Sequence, residues 1–175
     1  MGEELIKVLE ARDQRWNLRK KLVKERQSCL ITITLCVPLA FRTDEEFWRI
    51  FLRLCVTFYK KLISSGHQAD FEGCMQSDDG PAFFVSTKSE AIEIKKVCVE
   101  AEEVLIGGRL LDIDVMDSGG TPISRDDIDL PPRKCFMCEK PAALCVSRKV
   151  HSPNEISEYV MQLKKQIKSN SASKA

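Results

Sequence analysis

What the chain lacks narrows its class before any motif does. No apolar run reaches the roughly 20 residues that a membrane-spanning helix needs. The longest, over residues 29–40, is interrupted by Thr32, Thr34 and Pro38. The opening residues are charged and helical in pattern, without the apolar core of a secretion signal. An excess of one charge is also missing: the formal net charge is +1, far from the basicity of a general nucleic-acid binder. Without a secretion signal, the eight cysteines point to a reducing compartment and to free thiols or metal ligands rather than disulfides. The expectation is a soluble, cytoplasmic protein with neither nucleic acid nor membrane as partner. At 175 residues it is long enough for one domain with a real core, spanning 1–168, followed by a polar tail over 169–175 expected to be disordered.

The most informative stretch is 107–117, Gly-Gly-Arg-Leu-Leu-Asp-Ile-Asp-Val-Met-Asp. Residues 111–115 alternate apolar and acidic, the period of a strand buried on one face. Leu111, Ile113 and Val115 then point one way, and Asp112 and Asp114 the other. Two carboxylates held so close raise one another's pKa unless a cation lies between them. Paired hard oxygens on a rigid strand suit Mg²⁺, which takes one or two carboxylates and completes its shell with water and phosphate. The preceding glycines permit close backbone approach, and Arg109 offers a planar fork for phosphate. The pattern fits metal-assisted phosphoryl or nucleotidyl transfer. It equally fits an edge strand whose outer face is acidic for solubility.

The remaining periodicities set the frame. Leu5, Ile6, Val8, Leu9, Trp16, Leu22 and Val23 recur at helical spacing through a charged opening segment. Arg12, Arg15 and Arg19 cluster there, either as a solvated face or as a face turned to a phosphate-rich ligand. Residues 30–37 are β-branched and apolar, a buried central strand closed by Pro38. Thr43 and Asp44 offer an N-cap to a helix carrying Phe47, Trp48, Ile50, Phe51, Leu54, Cys55, Phe58, Leu62 and Ile63, which Gly66 ends. A hairpin follows, with strands near 69–75 and 82–86 around the turn Ser77-Asp78-Asp79-Gly80. A further helix starts at Ser89 and Glu90, turns Ile92, Ile94, Val97, Cys98 and Val104 to the core, and stops near Gly107. The order strand, helix, strand, strand, helix, strand is that of a split βαβ, an α+β fold with helices on one face of the sheet. The sheet is antiparallel and ferredoxin-like or, as the rival, mixed and nucleotidyltransferase-like. The core covers about residues 28–118, with an added N-terminal helix.

From Thr121 the texture changes. Pro131 and Pro132 favour extended backbone, and Cys135, Cys138, Cys145 and His151 follow within a short span. Three thiols and an imidazole can close a tetrahedral zinc site, which would hold a segment too poor in apolar residues to fold alone; the alternative is a loop of free thiols. Arg133, Lys134, Arg148 and Lys149 make the segment locally basic, suited to pyrophosphate or an acidic surface. Ser152, Pro153 and Glu155 form a capping box for a last helix that carries Ile156, Tyr159, Val160, Leu163 and Ile167 to about Lys168.

Taken together, G-R-L-L-D-I-D-V at 108–115, I-S-R at 123–125, L-P-P-R-K-C-F-M-C at 130–138 and A-L-C-V-S-R-K-V-H-S at 143–152 carry more information than any one part. With E-A-R-D-Q-R at 10–15 and I-T-I-T-L at 31–35, the combination resembles the citrate lyase holo-[acyl-carrier protein] synthase family, the apo-citrate lyase phosphoribosyl-dephospho-CoA transferases. The resemblance spans about residues 5–163. It departs at 36–42, Cys-Val-Pro-Leu-Ala-Phe-Arg, where the family commonly has N-I-P-G-P-x-K; Arg42 stands near the lysine position. Similarity implies a transferase that attaches the phosphoribosyl-dephospho-CoA part of triphosphoribosyl-dephospho-CoA to a serine of the citrate lyase acyl carrier (gamma) subunit, releasing pyrophosphate. It implies Mg²⁺ at Asp112 and Asp114, one of them assisting serine deprotonation, and Arg109 as a triphosphate ligand. Arg12, Arg15, Arg125, Arg133 and Arg148 become contacts to triphosphate or coenzyme. Two alternatives stand beside this: the same transfer to the malonate decarboxylase carrier subunit, and a non-catalytic zinc-binding adaptor whose acidic pair is mere surface.

Overall fold

A computed structural model of the chain describes residues 2–172. In order, its elements are helix α1 (Gly2–Arg26), strand β1 (Cys29–Leu35), the single-turn helix α2 (Leu39–Arg42), α3 (Glu45–Ser64), β2 (Ala69–Ser77), β3 (Gly80–Thr87), α4 (Ala91–Val104), β4 (Leu111–Met116), β5 (Pro122–Ile123), α5 (Ala142–Ser147) and α6 (Pro153–Ala172). One sheet runs β2-β3-β1-β4-β5, and every pairing in it is antiparallel. The split βαβ is formed, and the choice between antiparallel and mixed falls to antiparallel. β1 is central, as its β-branched run implies. Asp44 caps α3 by accepting from the Phe47 N–H at 2.9 Å, a contact of about 1 kcal/mol. The box at α6 closes both ways: Ser152 N–H donates to Glu155 Oε2 at 2.8 Å, and Glu155 N–H to Ser152 Oγ at 3.3 Å.

The strand period divides the sheet into two unlike faces. Ile31, Ile33, Leu35, Phe83, Val85, Leu111, Ile113 and Val115 face the main core with Phe47, Phe51, Phe58 and Leu62 of α3, Ile94 and Cys98 of α4, and Val160 and Ile167 of α6. Leu30, Ala82, Phe84 and Met116 face the other way, onto Val23, Leu18 and Leu22 of α1. Helices therefore cover both faces, not one. α1 is the cause: its apolar stripe needs a surface, and the second face supplies one to Leu18, Leu22 and Val23, while Val8 and Ala11 are buried nearer its start. The N-terminal half of α1 leaves Leu5, Ile6 and Leu9 half exposed.

Two expectations for α4 fail. Ile92 and Val104 are 39% and 66% exposed, while Lys95 and Glu102 are buried. The reason lies in the sheet. β4 pairs with β1 along its length but with β5 only at Val115 and Met116, so the outer backbone groups of its first half need other partners. Glu102 accepts the Ile113 N–H at 2.9 Å, and Lys95 Nζ donates to the Ile113 carbonyl at 3.2 Å. Charged side chains of α4 thus replace a missing strand. Gly107 and Gly108 serve the same packing. Gly107 has φ +87°, and a Cβ on Gly108 would lie 2.3 Å from the Ala101 carbonyl oxygen. Gly108 closes on α4, and Gly107 on Ile167 of α6 and Leu54 of α3. α6 runs through residues 169–172, past the end near Lys168 that the sequence implies; residues 173–175 of the expected tail lie outside the described residues.

Candidate active site

Asp112 and Asp114 share the second face, opposite Thr34 and Thr32 of β1. Each carboxylate has its own arginine. Arg133 Nη1 donates to Asp112 Oδ1 at 3.1 Å, and Arg19 Nη1 to Asp114 Oδ2 at 3.2 Å. Burial, then the like charge of Asp114, pushes the Asp112 carboxyl above its ordinary range, and Arg133 only partly offsets this. The floor is polar and short of partners: Thr32 Oγ1 and Arg19 Nε are buried with no hydrogen bond among the described residues.

Asp79, in the β2–β3 turn, organises the neighbouring cavity. Its side chain is 3% exposed and accepts from Arg12 Nη2 (3.2 Å), Arg15 Nη2 (2.7 Å) and Arg42 Nη1. Burial alone would push this carboxyl up, but the three guanidiniums outweigh it and hold it below the ordinary carboxylate range. Gly80 makes room, since a Cβ there would lie 2.8 Å from Arg42 Cβ. Three positive charges around one negative leave a net of about +2. The cavity they line, about 220 Å³, also takes in Thr34, Cys36 and Asp112. A cavity of positive charge therefore opens directly onto Asp112. Burial pushes the Cys36 thiol above its ordinary value, so it is not poised as a thiolate nucleophile.

The C-terminal module closes the other side. Cys135, Cys138, Cys145 and His151 place one ligand atom each within 4.8 Å of all the others, and the Cys138 and Cys145 sulfurs are 3.5 Å apart. Burial pushes the Cys135 thiol up, but backbone N–H groups of Met137 and Cys138 aim at its sulfur and bring it below its ordinary value. His151 Nε2 is buried without a hydrogen-bond partner among the described residues. Four convergent ligands, a sulfur already receiving backbone donors and an orphaned ring nitrogen can hold a metal ion. Arg133, ahead of the first cysteine, ties the module to the core. Besides Asp112 it reaches Glu102 (3.4 Å) and the carbonyls of Arg109 (3.1 Å) and Leu111 (2.8 Å).

The other arginines singled out in the sequence lie apart from this pocket. Arg125 is engaged with Glu102 (2.8 Å) and Glu103 (3.0 Å). Arg109 donates to the Lys134 carbonyl at 2.9 Å, and Arg148 is exposed at the end of α5. Sequence reasoning passed over Asp79, Arg42 as its partner, Glu102, and Arg19 as the ligand of Asp114. An acidic residue in a Ser-Asp-Asp-Gly turn reads as turn chemistry, and only the fold brings α1 and α2 to it.

The family model for apo-citrate lyase phosphoribosyl-dephospho-CoA transferase matches residues 3–167. Proteins bearing that name from Shigella flexneri serotype 5b and Escherichia coli O1:K1 are each 30% identical to this chain over 149 residues, 85% of it and 81% of theirs. The matched region takes in both acidic strand residues, the arginines around Asp79 and the cysteine module, and the chain belongs to the apo-citrate lyase phosphoribosyl-dephospho-CoA transferase family.

Proposed function

We propose that the chain attaches the phosphoribosyl-dephospho-CoA group of triphosphoribosyl-dephospho-CoA to a serine of the citrate lyase acyl carrier (gamma) subunit. The observation that carries this reading is the continuity of the Arg12, Arg15, Arg42 and Asp79 pocket with Asp112. A triphosphate needs such a cationic recess for its leaving half, next to the centre where the bond is exchanged. The serine Oγ attacks the phosphorus nearest the ribose, forming a phosphodiester. The bond from that phosphorus to the β-phosphate bridging oxygen breaks, and its electron pair leaves with pyrophosphate. The serine proton passes to a carboxylate oxygen of the acidic pair. Arg12, Arg15 and Arg42 bind the departing pyrophosphate, and Asp79 positions them. Arg133 bridges Asp112 and the C-terminal module, and Arg125 anchors the segment through Glu102 and Glu103. Arg109 and Arg148 are the candidates for contacts with the coenzyme's own phosphates.

Asp112 and Asp114 fit Mg²⁺ as a pair of hard oxygen donors on one strand face, bound to supply charge neutralisation during transfer. Cys135, Cys138, Cys145 and His151 fit Zn²⁺, which would cross-link the module that carries Arg133.

The test is intact-mass spectrometry of the apo carrier subunit after incubation with enzyme, Mg²⁺ and the triphosphoribosyl precursor, with the malonate decarboxylase carrier run in parallel. A serine-linked gain on the citrate lyase carrier, absent with Asp112→Asn, Asp114→Asn enzyme, is expected. Folded enzyme that modifies neither carrier overturns the reading, and gain only on the second carrier reassigns the acceptor.

A further inference from the structure

We infer that the apolar cavity on the module side of Asp112 receives the adenine ring of the donor's coenzyme half; this rests on the transferase reading above. The cavity holds about 280 Å³, just below the roughly 300–1,000 Å³ of small-molecule pockets. It therefore has room for a planar heterocycle and not for a whole dephospho-CoA. Phe136, Met137, Ala142, Ala143, Val146 and Ile156 provide its apolar lining. Its lining also includes Cys135, Cys145 and His151 of the cysteine module, and Cys36 and Asp112, which line the arginine cavity as well, so the two cavities meet at Asp112.

The donor's connectivity matches that layout. Its triphosphate and its adenine are joined through two ribose rings, so a base seated beside Asp112 leaves the triphosphate free to enter the arginine pocket. Phe136 is held rigid by stacking on Tyr159, with ring centroids 5.4 Å apart and planes inclined by 24°. A stacked aromatic ring, a polarisable Met137 and two alanines among the lining offer contact to a flat ring at little ordering cost. Arg133 and Lys134 are also in the lining, Arg133 paired with Asp112 and Glu102 and Lys134 with Glu139. The pantetheine arm fits less well, because its amides would be desolvated without partners. A serine-bearing helix of a carrier protein is too bulky for the recess.

The experiment measures binding of two probes to the full chain by calorimetry: dephospho-CoA and inorganic tripolyphosphate. Ala143→Trp fills the recess from an exposed position, and Phe136→Leu removes the aromatic wall without filling it. The expected result is a loss of dephospho-CoA affinity of about tenfold or more in each variant, the scale of one lost base contact, with tripolyphosphate affinity unchanged. Unchanged dephospho-CoA affinity in both folded variants overturns the adenine site. In the transfer assay the donor KM should rise and the carrier KM stay. A rise in the carrier KM alone gives the cavity to the carrier and overturns the inference, while the transferase reading stands. Dephospho-CoA binding that the variants weaken, in a protein that transfers nothing, upholds the base site and refutes the transferase reading instead.

Discussion

Glu102→Gln isolates the joint between the sheet and the C-terminal module. The Glu102 side chain, 6% exposed, serves three donors: the Ile113 N–H at 2.9 Å, Arg125 at 2.8 Å and Arg133 at 3.4 Å. Glutamine keeps the shape but has one acceptor oxygen and brings an NH₂. If the oxygen serves Ile113, the NH₂ opposes Arg125; if it is reversed, the Ile113 N–H is orphaned. Removing one partner of a buried pair costs about 3–5 kcal/mol. Here the arginine side chains keep 13% and 18% exposure. Arg125 also retains Glu103, and Arg133 two carbonyls. The expected cost is therefore lower, about 2–3 kcal/mol. At about 2–4 °C per kcal/mol for a domain of this size, Tm falls by about 4–12 °C. Urea unfolding followed by circular dichroism should show a lower midpoint at unchanged m-value. A cycle with Arg125→Gln should give a coupling of about 1–3 kcal/mol. A Tm within about 1 °C of the parent, with additive double-mutant energies, would refute the assignment of Glu102 as the joint.

Three further outcomes follow from the same geometry. Because the folded-state pKa of Asp112 is raised, the metal-free protein loses stability as pH rises from the ordinary carboxylate value through the raised one. Asp112→Asn should then raise the metal-free Tm at neutral pH while abolishing transfer, and a lowered Tm would contradict this sign. Asp79 has a lowered pKa, so its stabilisation is present above the ordinary carboxylate value and lost as pH falls through the folded one. Asp79→Asn should flatten the acid limb of the stability profile and raise the donor KM about tenfold or more by freeing three mutually repelling guanidiniums; an unchanged KM speaks against a positioning role. For the cysteine module, a zinc chelator should lower Tm and release about one zinc per chain. Cys145→Ser, already short of a ligand, should show little further response to it. Metal analysis finding no zinc in protein purified without chelator would remove that centre.

The chain's periodicities were legible because burial imposes them locally. The β-branched run of β1, the amphipathic α3 and the alternation at 111–115 each state which side faces a core. Thus the α+β frame, the shared face of Asp112 and Asp114, the N-cap at Asp44 and the capping box at Ser152 follow from short-range pattern, while the choice of an antiparallel over a mixed sheet does not. The convergence of Cys135, Cys138, Cys145 and His151 was readable as spacing, since metal ligands of a small module lie close in sequence. Ile92 and Val104 were misread because helical spacing reports a preference for burial, not what the neighbouring strand requires. The open edge of β4 required Lys95 and Glu102 instead.

The sequence by itself determined which residues alternate, cap and cluster within a few turns of chain, because those relations depend on backbone periods of 2 and 3.6 residues. Tertiary structure alone decided which arginine meets which acid. Asp79 receives Arg12, Arg15 and Arg42 across as many as 67 positions, and Arg19 reaches Asp114 across 95. Such pairings have no local period. They exist only once α1 lies across the second face of the sheet and brings its arginines to the buried Asp79 and the half-exposed Asp114.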